Sequence, residues 1–550
     1  MASRESWRGK YIFLRFFAAF QLGLVIVIQL VPPDLLTSAI YTLARMICSY
    51  MLSLFIALVI GIAMGINKRI DSIVNPIIDV LQSIPILGFF PAALLIIINI
   101  FPGEFGVELA SIFLITTSMV WNVIYGVYAA IKSIDPGYLE MLKIYRLGTL
   151  TRLITVYIPA TKKAIASNSA ISWAGGWFFV TAAEVISLGS SEYRLKGLGS
   201  YIVEAIIKGD RQALYMGLSL LMAIIISSYL LIWNNAIRIK GEVYEISLPS
   251  IGTLYRFFAS RLPSVRDRLL NIAISADLAM TRLKMPIRLL YAPYIAISIA
   301  GMAIASLFLI YGSIDIITET PGKLYLLARQ ILEAFPTVSY SLLLSLARVL
   351  LILIVEMAIG ASISYLYIAC KRSAYALTIL GEILSSLPAI LWWPVLAGAI
   401  RSGFSPLIAS FIILFQGSFW YIFFNIVFYG IPSFKRSLLE LSEVYSIRGR
   451  LYIEKIFLPS LFPSIAAGLI SASGGAWNAT IVAEYIDLGD LKIDLGGIGS
   501  LITRSALEGE TAFLITYVAY LNITIITINK LVMTRILFKS LGKRYYEIGE

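Results

Sequence analysis

The sequence predicts an all-α, polytopic membrane protein of about twelve transmembrane helices, arranged as two parallel repeats of about six. Three observations lead there. Of 550 residues, 59% are hydrophobic and only 14% charged, with a mean hydropathy of +0.86, which is more apolar surface than a water-soluble core can hide. The chain also repeats itself: Gly175, Trp177, Ala183, Glu184 and Gly189 recur 300 residues later as Gly475, Trp477, Ala483, Glu484 and Gly489. Finally, basic residues collect in alternate loops, the pattern the positive-inside rule describes.

In chain order, Tyr11–Val31, Tyr41–Ile66, Leu87–Phe101, Leu109–Ile131, Met216–Trp233, Leu289–Tyr311, Ser341–Cys370 and Phe411–Phe428 carry roughly the 17–25 mostly apolar residues that cross a hydrocarbon core, allowing for overhang and tilt. Less uniform segments bring the total to about twelve. The first span follows Arg4, Arg8 and Lys10; its apolar run is too long for a signal peptide and lacks a small-residue cleavage site, so a retained helix is expected.

The net charge of +12 is explained by where the charges fall. Lys68 and Arg69, the run from Lys132 to Lys163, the run from Arg256 to Arg288, Lys371 and Arg372, the run from Lys435 to Lys455, and Lys539, Lys543 and Arg544 occupy alternate loops. These loops, both termini and the central connection are expected on the cytoplasmic face of the cell membrane, facing lipid headgroups and not nucleic acid. Loops around Asp34, Glu104, Asp315, Glu319, Asp487, Asp490 and Asp494 face out. The chain has no histidine, which removes the commonest metal ligand and proton shuttle, and no metal site is expected. Cys48 and Cys370, in or beside apolar segments at unrelated repeat positions, read as structural and unpaired.

The repeat sets the domain boundaries. Thr42–Arg45 matches Ser345–Arg348, and Leu81, Pro85 and Pro91 match Leu384, Pro388 and Pro394; from Glu140 and Glu440 onward the offset settles at 300. One membrane domain is expected over 1–246, a basic connection acting mainly as a tether over 247–286, and a second membrane domain over 287–550. An even number of spans per repeat makes both copies enter from the same side, so a pseudo-axis runs along the membrane normal.

The halves are most alike in a cytoplasmic loop and the helix after it, Tyr138–Ala160 against Leu438–Ser460. Each has a glutamate (Glu140, Glu440), a tyrosine five residues on (Tyr145, Tyr445), a glycine (Gly148, Gly449) and a proline nineteen residues after the glutamate (Pro159, Pro459). A short amphipathic helix, a glycine turn and a proline opening the next span would make a rigid protrusion. One such loop is an ordinary capped connection. Two, spaced alike, are what two identical cytoplasmic partners need.

Both loops resemble the EAA loop of ABC-importer permeases, with Glu140-Met-Leu and Glu440-Leu-Ser standing where Glu-Ala-Ala is usual and with slightly late glycines. The Ser/Thr-Leu-Ala-Arg helix, the Leu-Ser-Ser-Leu-Pro stretch and Gly474-Gly-Ala-Trp-Asn-Ala-Thr-Ile-Val-Ala-Glu-Tyr485 are further similar to the nitrate, sulfonate and taurine permease family, specifically its duplicated members. The resemblance implies a type I ABC-importer transmembrane fold and coupling loops that seat two copies of a cytoplasmic ATPase subunit. ATP and Mg would be bound by those partners, with an extracellular solute-binding protein delivering a small solute, an anion of the nitrate, sulfonate or bicarbonate kind. The chain itself has no phosphate-cradling G-x-x-x-x-G-K-[ST]; Pro321-Gly-Lys323 and Leu541-Gly-Lys543 lack the upstream glycine, so no catalytic residue is expected.

Glu184 and Glu484 end apolar runs, where an ionised carboxylate is costly and generally faces protein, a partner or water. Trp177 and Trp477, two helical turns upstream, share their helix face, and Gly175-Gly176 and Gly474-Gly475 permit close helix approach. The residues fit either a structural anchor or a pathway or gate role. Asn478, facing Phe178 in the repeat, is the better candidate for a solute contact because its amide both donates and accepts. Pro85, Pro91, Pro388 and Pro394 are expected to kink or break helices, Arg45 and Arg348 to snorkel at helix ends, and Gly312–Phe335 to lie along the outer interface. An ion-coupled secondary transporter with a six-plus-six parallel repeat is the alternative reading, and a membrane scaffold a third.

Overall fold

The computed structural model describes most of residues 31–228, 267–278 and 321–528. Leu289–Tyr311 and all but the last residue of Tyr11–Val31 lie outside the described residues. Among the described residues six helices are long and apolar enough to cross a membrane: Pro33–Ile66, Glu104–Lys132, Arg211–Ser228, Leu332–Tyr365, Pro406–Asn425 and Gly449–Ala483, with Ala512–Ile528 a shorter apolar helix. The all-α architecture is interrupted by two short hairpins that the sequence reading did not anticipate. The described residues gather into two compact units, one drawn from Met1–Asn75, Val120–Ser172 and Tyr215–Ile304, the other from Pro76–Met119, Trp173–Leu214 and Ala305–Glu550.

In the first unit, α1 (Pro33–Ile66) begins on a proline, whose missing N–H is no loss at a helix start. It ends at Asn67, which is extended and whose Oδ1 accepts from the N–H groups of Arg69 and Ile70, so one residue closes α1 and caps α2 (Lys68–Ser83). Asp71 of α2 meets Lys132 (3.0 Å) and accepts from the Tyr128 hydroxyl (3.0 Å), both on α3 (Glu104–Lys132). Tyr50 donates to Ser169 (2.9 Å), joining α1 to the long helix that ends at Glu184.

In the second unit, the long helix α9 (Pro321–Ala369) carries Pro336 within it. Residues 321–335, expected along the outer interface, are helical and continuous with the span; 312–320 lie outside the described residues. α11 (Pro406–Asn425) and α14 (Leu458–Ala483) pack backbone to backbone, because a Cβ on Gly475 would lie 2.5 Å from the Gly417 carbonyl oxygen and one on Gly417 2.5 Å from Ala479 Cβ. The expected break near Pro85 is present: the chain leaves α2 at Ser83 and Pro85 is non-helical and buried. Pro394 lies in the first turn of α10 (Trp392–Arg401), where a proline is tolerated.

Each half then runs through the same series. A short helix, α4 (Pro136–Ile144) or α12 (Arg436–Val444), is followed by one turn, α5 (Thr149–Arg152) or α13 (Gly449–Tyr452), a π segment (Leu153–Tyr157 or Ile453–Phe457), and a long helix, α6 (Ile158–Glu184) or α14. A hairpin follows, β1–β2 (Val185–Leu188 with Ser191–Arg194) or β3–β4 (Tyr485–Asp487 with Lys492–Asp494), then α7 (Leu198–Lys208) or α15 (Ile498–Glu508), and α8 (Arg211–Ser228) or α16 (Thr511–Ile528). Gly209 and Gly509 close α7 and α15 in the left-handed conformation at φ 67° and 75°, which a residue with a Cβ adopts reluctantly.

Candidate functional site

The two loops expected to dock a partner are built alike, each a short helix ahead of a long one. In the first, Asp135 accepts from the N–H groups of Gly137 (2.7 Å) and Tyr138 (3.4 Å) and so starts α4. Glu140 and Glu440 are exposed. At the far end of α4, Ile144 and Tyr145 are 78% and 70% exposed; their repeat partners Val444 and Tyr445 are 78% and 71% exposed. An aliphatic and an aromatic side chain held in the open at equivalent positions of both repeats form an apolar contact patch on each loop.

The two glycines do different work. Gly148 is the residue preceding α5, and a Cβ there would lie 2.1 Å from the Asp277 carboxylate of the central connection. Gly449 is the first residue of α13, at φ 59°, with open space where a Cβ would stand. The prolines also differ from expectation. Pro159 and Pro459 do not open the spans; the helical runs begin ten residues earlier, at Thr149 and Gly449. Proline lacks an N–H and its ring collides with the carbonyl four residues back. The π segment accommodates this: the N–H before each proline, on Ile158 and Leu458, donates to the carbonyl five residues back, on Leu153 and Ile453. The result is an unbroken helix from each of these loops to a buried glutamate. Gly449–Ala483, at 35 residues, is a rod of about 52 Å.

At the rod's other end, Glu184 and Glu484 are 0% exposed, within protein and away from lipid. Glu184 Oε2 accepts from the Gly199 N–H (2.6 Å), and its backbone carbonyl accepts from Leu195 N–H (3.0 Å) and the Ser200 hydroxyl (3.0 Å). Glu484 accepts from Ser345 Oγ (2.7 Å), Arg348 Nη1 (2.7 Å) and Gly499 N–H (2.9 Å). Each carboxylate therefore lies against the N-terminus of α7 or α15, where free N–H groups and the helix dipole favour negative charge. Glycine is required for that approach: a Cβ on Gly197 or Gly497 would stand 2.2 Å or 2.3 Å from the carboxylate, and Gly497 is at φ 115°. Arg348 is partly buried, ion-paired and also donates to the carbonyls of Gly496 (2.8 Å) and Leu495 (2.7 Å), so it does not snorkel; Arg45 is buried, with its guanidinium 6.0 Å from the Tyr41 ring centroid.

Trp177 and Trp477 are fully buried, Trp177 edge to face with Trp173 at 6.2 Å. Asn478 is buried with both ends of its amide engaged: Oδ1 accepts from the Ile86 N–H beside the broken helix, and Nδ2 donates to the Gly474 carbonyl (3.1 Å).

Several structural partners were missed by the sequence reading. Gln416, the single amide side chain in Phe411–Phe424, donates to the carbonyls of Leu384 and Leu387 (3.4 Å) and accepts from Trp420 Nε1 (3.2 Å). Its isolation in an apolar run was a usable signal. Ser345 stands inside the Ser-Leu-Ala-Arg stretch that matched for its repeat, without its role being visible. Glu356 is buried in α9 with the Ser418 hydroxyl against Oε1 and no hydrogen-bond partner on Oε2 among the described residues.

The model of the family described as binding-protein-dependent transport system inner membrane component matches twice, over residues 53–239 and 358–544. The chain is 22% identical over 164 residues to the nitrate import permease protein NrtB of Synechococcus elongatus, covering 30% of this chain and 54% of that protein. It is 26% identical over 151 residues to NrtB of Leptolyngbya laminosa, covering 28% and 50%. Against the bicarbonate transport system permease protein CmpB of Synechocystis sp. it is 25% identical over 164 residues, covering 30% and 54%. The chain spans about half the length of each of these relatives.

Proposed function

This chain belongs to the family of binding-protein-dependent transport system inner membrane components, and we propose that it is the fused transmembrane pair of an ATP-driven importer. Two copies of a cytoplasmic ATPase subunit, holding ATP and Mg, seat on the two docking loops, and an extracellular solute-binding protein delivers cargo from outside. Both termini are cytoplasmic. The observation that carries this reading is the pair of exposed loops, each ending in an uncovered apolar pair (Ile144 and Tyr145, Val444 and Tyr445) at the head of a helix that runs unbroken to a buried glutamate.

The arrangement works as a lever. Glu140, Tyr145, Glu440 and Tyr445 make the contact with the ATPase. Closure of the two ATPases displaces the loops, and a rod of about 52 Å carries that displacement across the bilayer without a hinge. Glu184 and Glu484 latch the outer ends to α7 and α15, with Trp177 and Trp477 filling space beneath them. Asn478 ties the second rod to the broken helix at Ile86, so rod movement and pathway shape change together. The cargo is a small anion of the nitrate or bicarbonate kind, as the names of the relatives support. Arg348 balances the charge of Glu484, so that carboxylate does not oppose a negative solute.

The test is reconstitution in proteoliposomes with a candidate ATPase subunit and a candidate solute-binding protein from the same organism. Uptake of labelled nitrate or bicarbonate that requires ATP and both partners supports the reading. Uptake driven by an ion gradient without an ATPase would establish the secondary-transporter alternative instead.

A further inference from the structure

The central connection reaches the first docking loop through one carboxylate. Residues 267–278 of the connection are helical where described, and Asp277 accepts from the N–H groups of Leu150 (3.2 Å) and Thr151 (2.9 Å) and from the Thr151 hydroxyl (2.7 Å). Leu150 and Thr151 are the second and third residues of the helical run from Thr149 to Glu184, the positions whose N–H groups a capping side chain ordinarily satisfies. The residue in the capping place is Gly148, which has no side chain to offer. Asp277 supplies the missing cap from more than a hundred residues away, and Gly148 is what leaves it room: a Cβ there would stand 2.1 Å from its carboxylate.

Among the described residues the second loop has no equivalent cap. At the 300-residue offset Gly148 becomes Arg448, which precedes α13 with no side-chain cap, and its positive charge is unfavourable beside a helix N-terminus. We infer that Asp277 is a positioning residue that braces the first docking loop, making the connection more than a tether and the two ATPase seats mechanically unequal. This rests on the reading of the loops as ATPase seats. The stiffer first loop transmits ATPase movement into its rod with less local give, while the uncapped second loop frays more readily at its start.

The experiment uses the full chain in lipid nanodiscs with its ATPase. Hydrogen exchange at the Leu150 and Thr151 amides should quicken about 5-fold in Asp277→Ala, the size of a lost helix cap, with residues 450–452 unchanged. Asp277→Asn should retain most of the protection, since asparagine caps well. Gly148→Ala should reproduce Asp277→Ala with the aspartate still present. A photo-crosslinking residue in place of Tyr145 or Tyr445 reports each seat separately: in Asp277→Ala the yield at position 145 should drop severalfold relative to position 445. Unchanged exchange at 150 and 151 overturns the brace, and an equal loss of crosslinking at both loops overturns the inequality of the seats. If neither position crosslinks to the ATPase in the otherwise unaltered chain, the seat reading itself falls and the inequality with it, while the exchange arm still decides whether the brace exists.

Discussion

Replacing Glu484 by alanine leaves three donors facing an empty space: the Ser345 hydroxyl, Arg348 Nη1 and the Gly499 N–H. Breaking a buried ion pair from one side costs about 3–5 kcal/mol, because the surviving charge is left desolvated. Arg348 keeps the carbonyls of Leu495 and Gly496, which pulls the cost toward the lower end, and the orphaned Gly499 N–H adds to it at about 1–3 kcal/mol. We expect a loss of about 4 kcal/mol for Glu484→Ala. Glu484→Gln keeps the shape and one acceptor but turns an amide N–H₂ toward either Gly499 N–H or Arg348 Nη1, so it should lose about 2 kcal/mol. The pair, and not bulk, is responsible if Arg348→Leu combined with Glu484→Leu recovers most of the loss, since a buried pair replaced by apolar groups is often neutral. Titration of mixed micelles with dodecyl sulfate, following tryptophan emission for the parent, Glu484→Ala, Arg348→Ala and the double variant, gives the coupling energy as a double-mutant cycle. A Glu484→Ala chain within about 1 kcal/mol of the parent, or a coupling energy near zero, would refute the assignment of the carboxylate as the anchor of α15.

Glu140→Lys with Glu440→Lys should detach or uncouple the ATPase, read as lost solute-stimulated hydrolysis, while leaving the unfolding midpoint unchanged, because both side chains are exposed on the docking loops. Pro459→Ala restores the N–H that the π segment does without; relaxation to α-helical spacing would turn the second docking loop by about 100° relative to the span, so coupling should fall without loss of fold, and unchanged coupling would refute the register argument. Glu356→Gln should be tolerated in stability and transport, because no cation is paired with this buried side chain among the described residues, whereas Glu356→Lys should abolish assembly; equal tolerance of both would show that the site is open to water.

Polarity and repetition were legible without coordinates. The spans expected at Tyr41–Ile66, Leu109–Ile131 and Ser341–Cys370 overlap the helices Pro33–Ile66, Glu104–Lys132 and Leu332–Tyr365, with helix ends extending beyond the apolar cores. The docking loops stood out because two copies carry Glu, Tyr and Pro at the same spacing. The hairpins were not legible: Val185–Leu188 and Tyr485–Asp487 are four- and three-residue strands, too short for an alternating pattern to separate from the end of an apolar helix. The prolines misled in a specific way, because proline ordinarily starts or breaks a helix, and a π segment that carries the helix past it depends on packing that no local rule contains.

The sequence by itself determined that this chain spans a membrane, that it is duplicated in parallel, that two of its loops come as a matched pair, and that each repeat carries a glutamate, Glu184 or Glu484, at the end of an apolar run. Each follows from a free energy of transfer or a spacing that is local and therefore readable in one dimension. Only the tertiary structure decided what those residues do. Glu484 finds Ser345 and Arg348 at separations of 139 and 136 residues, and Asp277 finds Leu150 across 127. Such pairings are chosen by which donor is left facing which acceptor once helices have packed, and the free energy that selects them, the cost of burying a polar group without a partner, does not exist until the chain is folded.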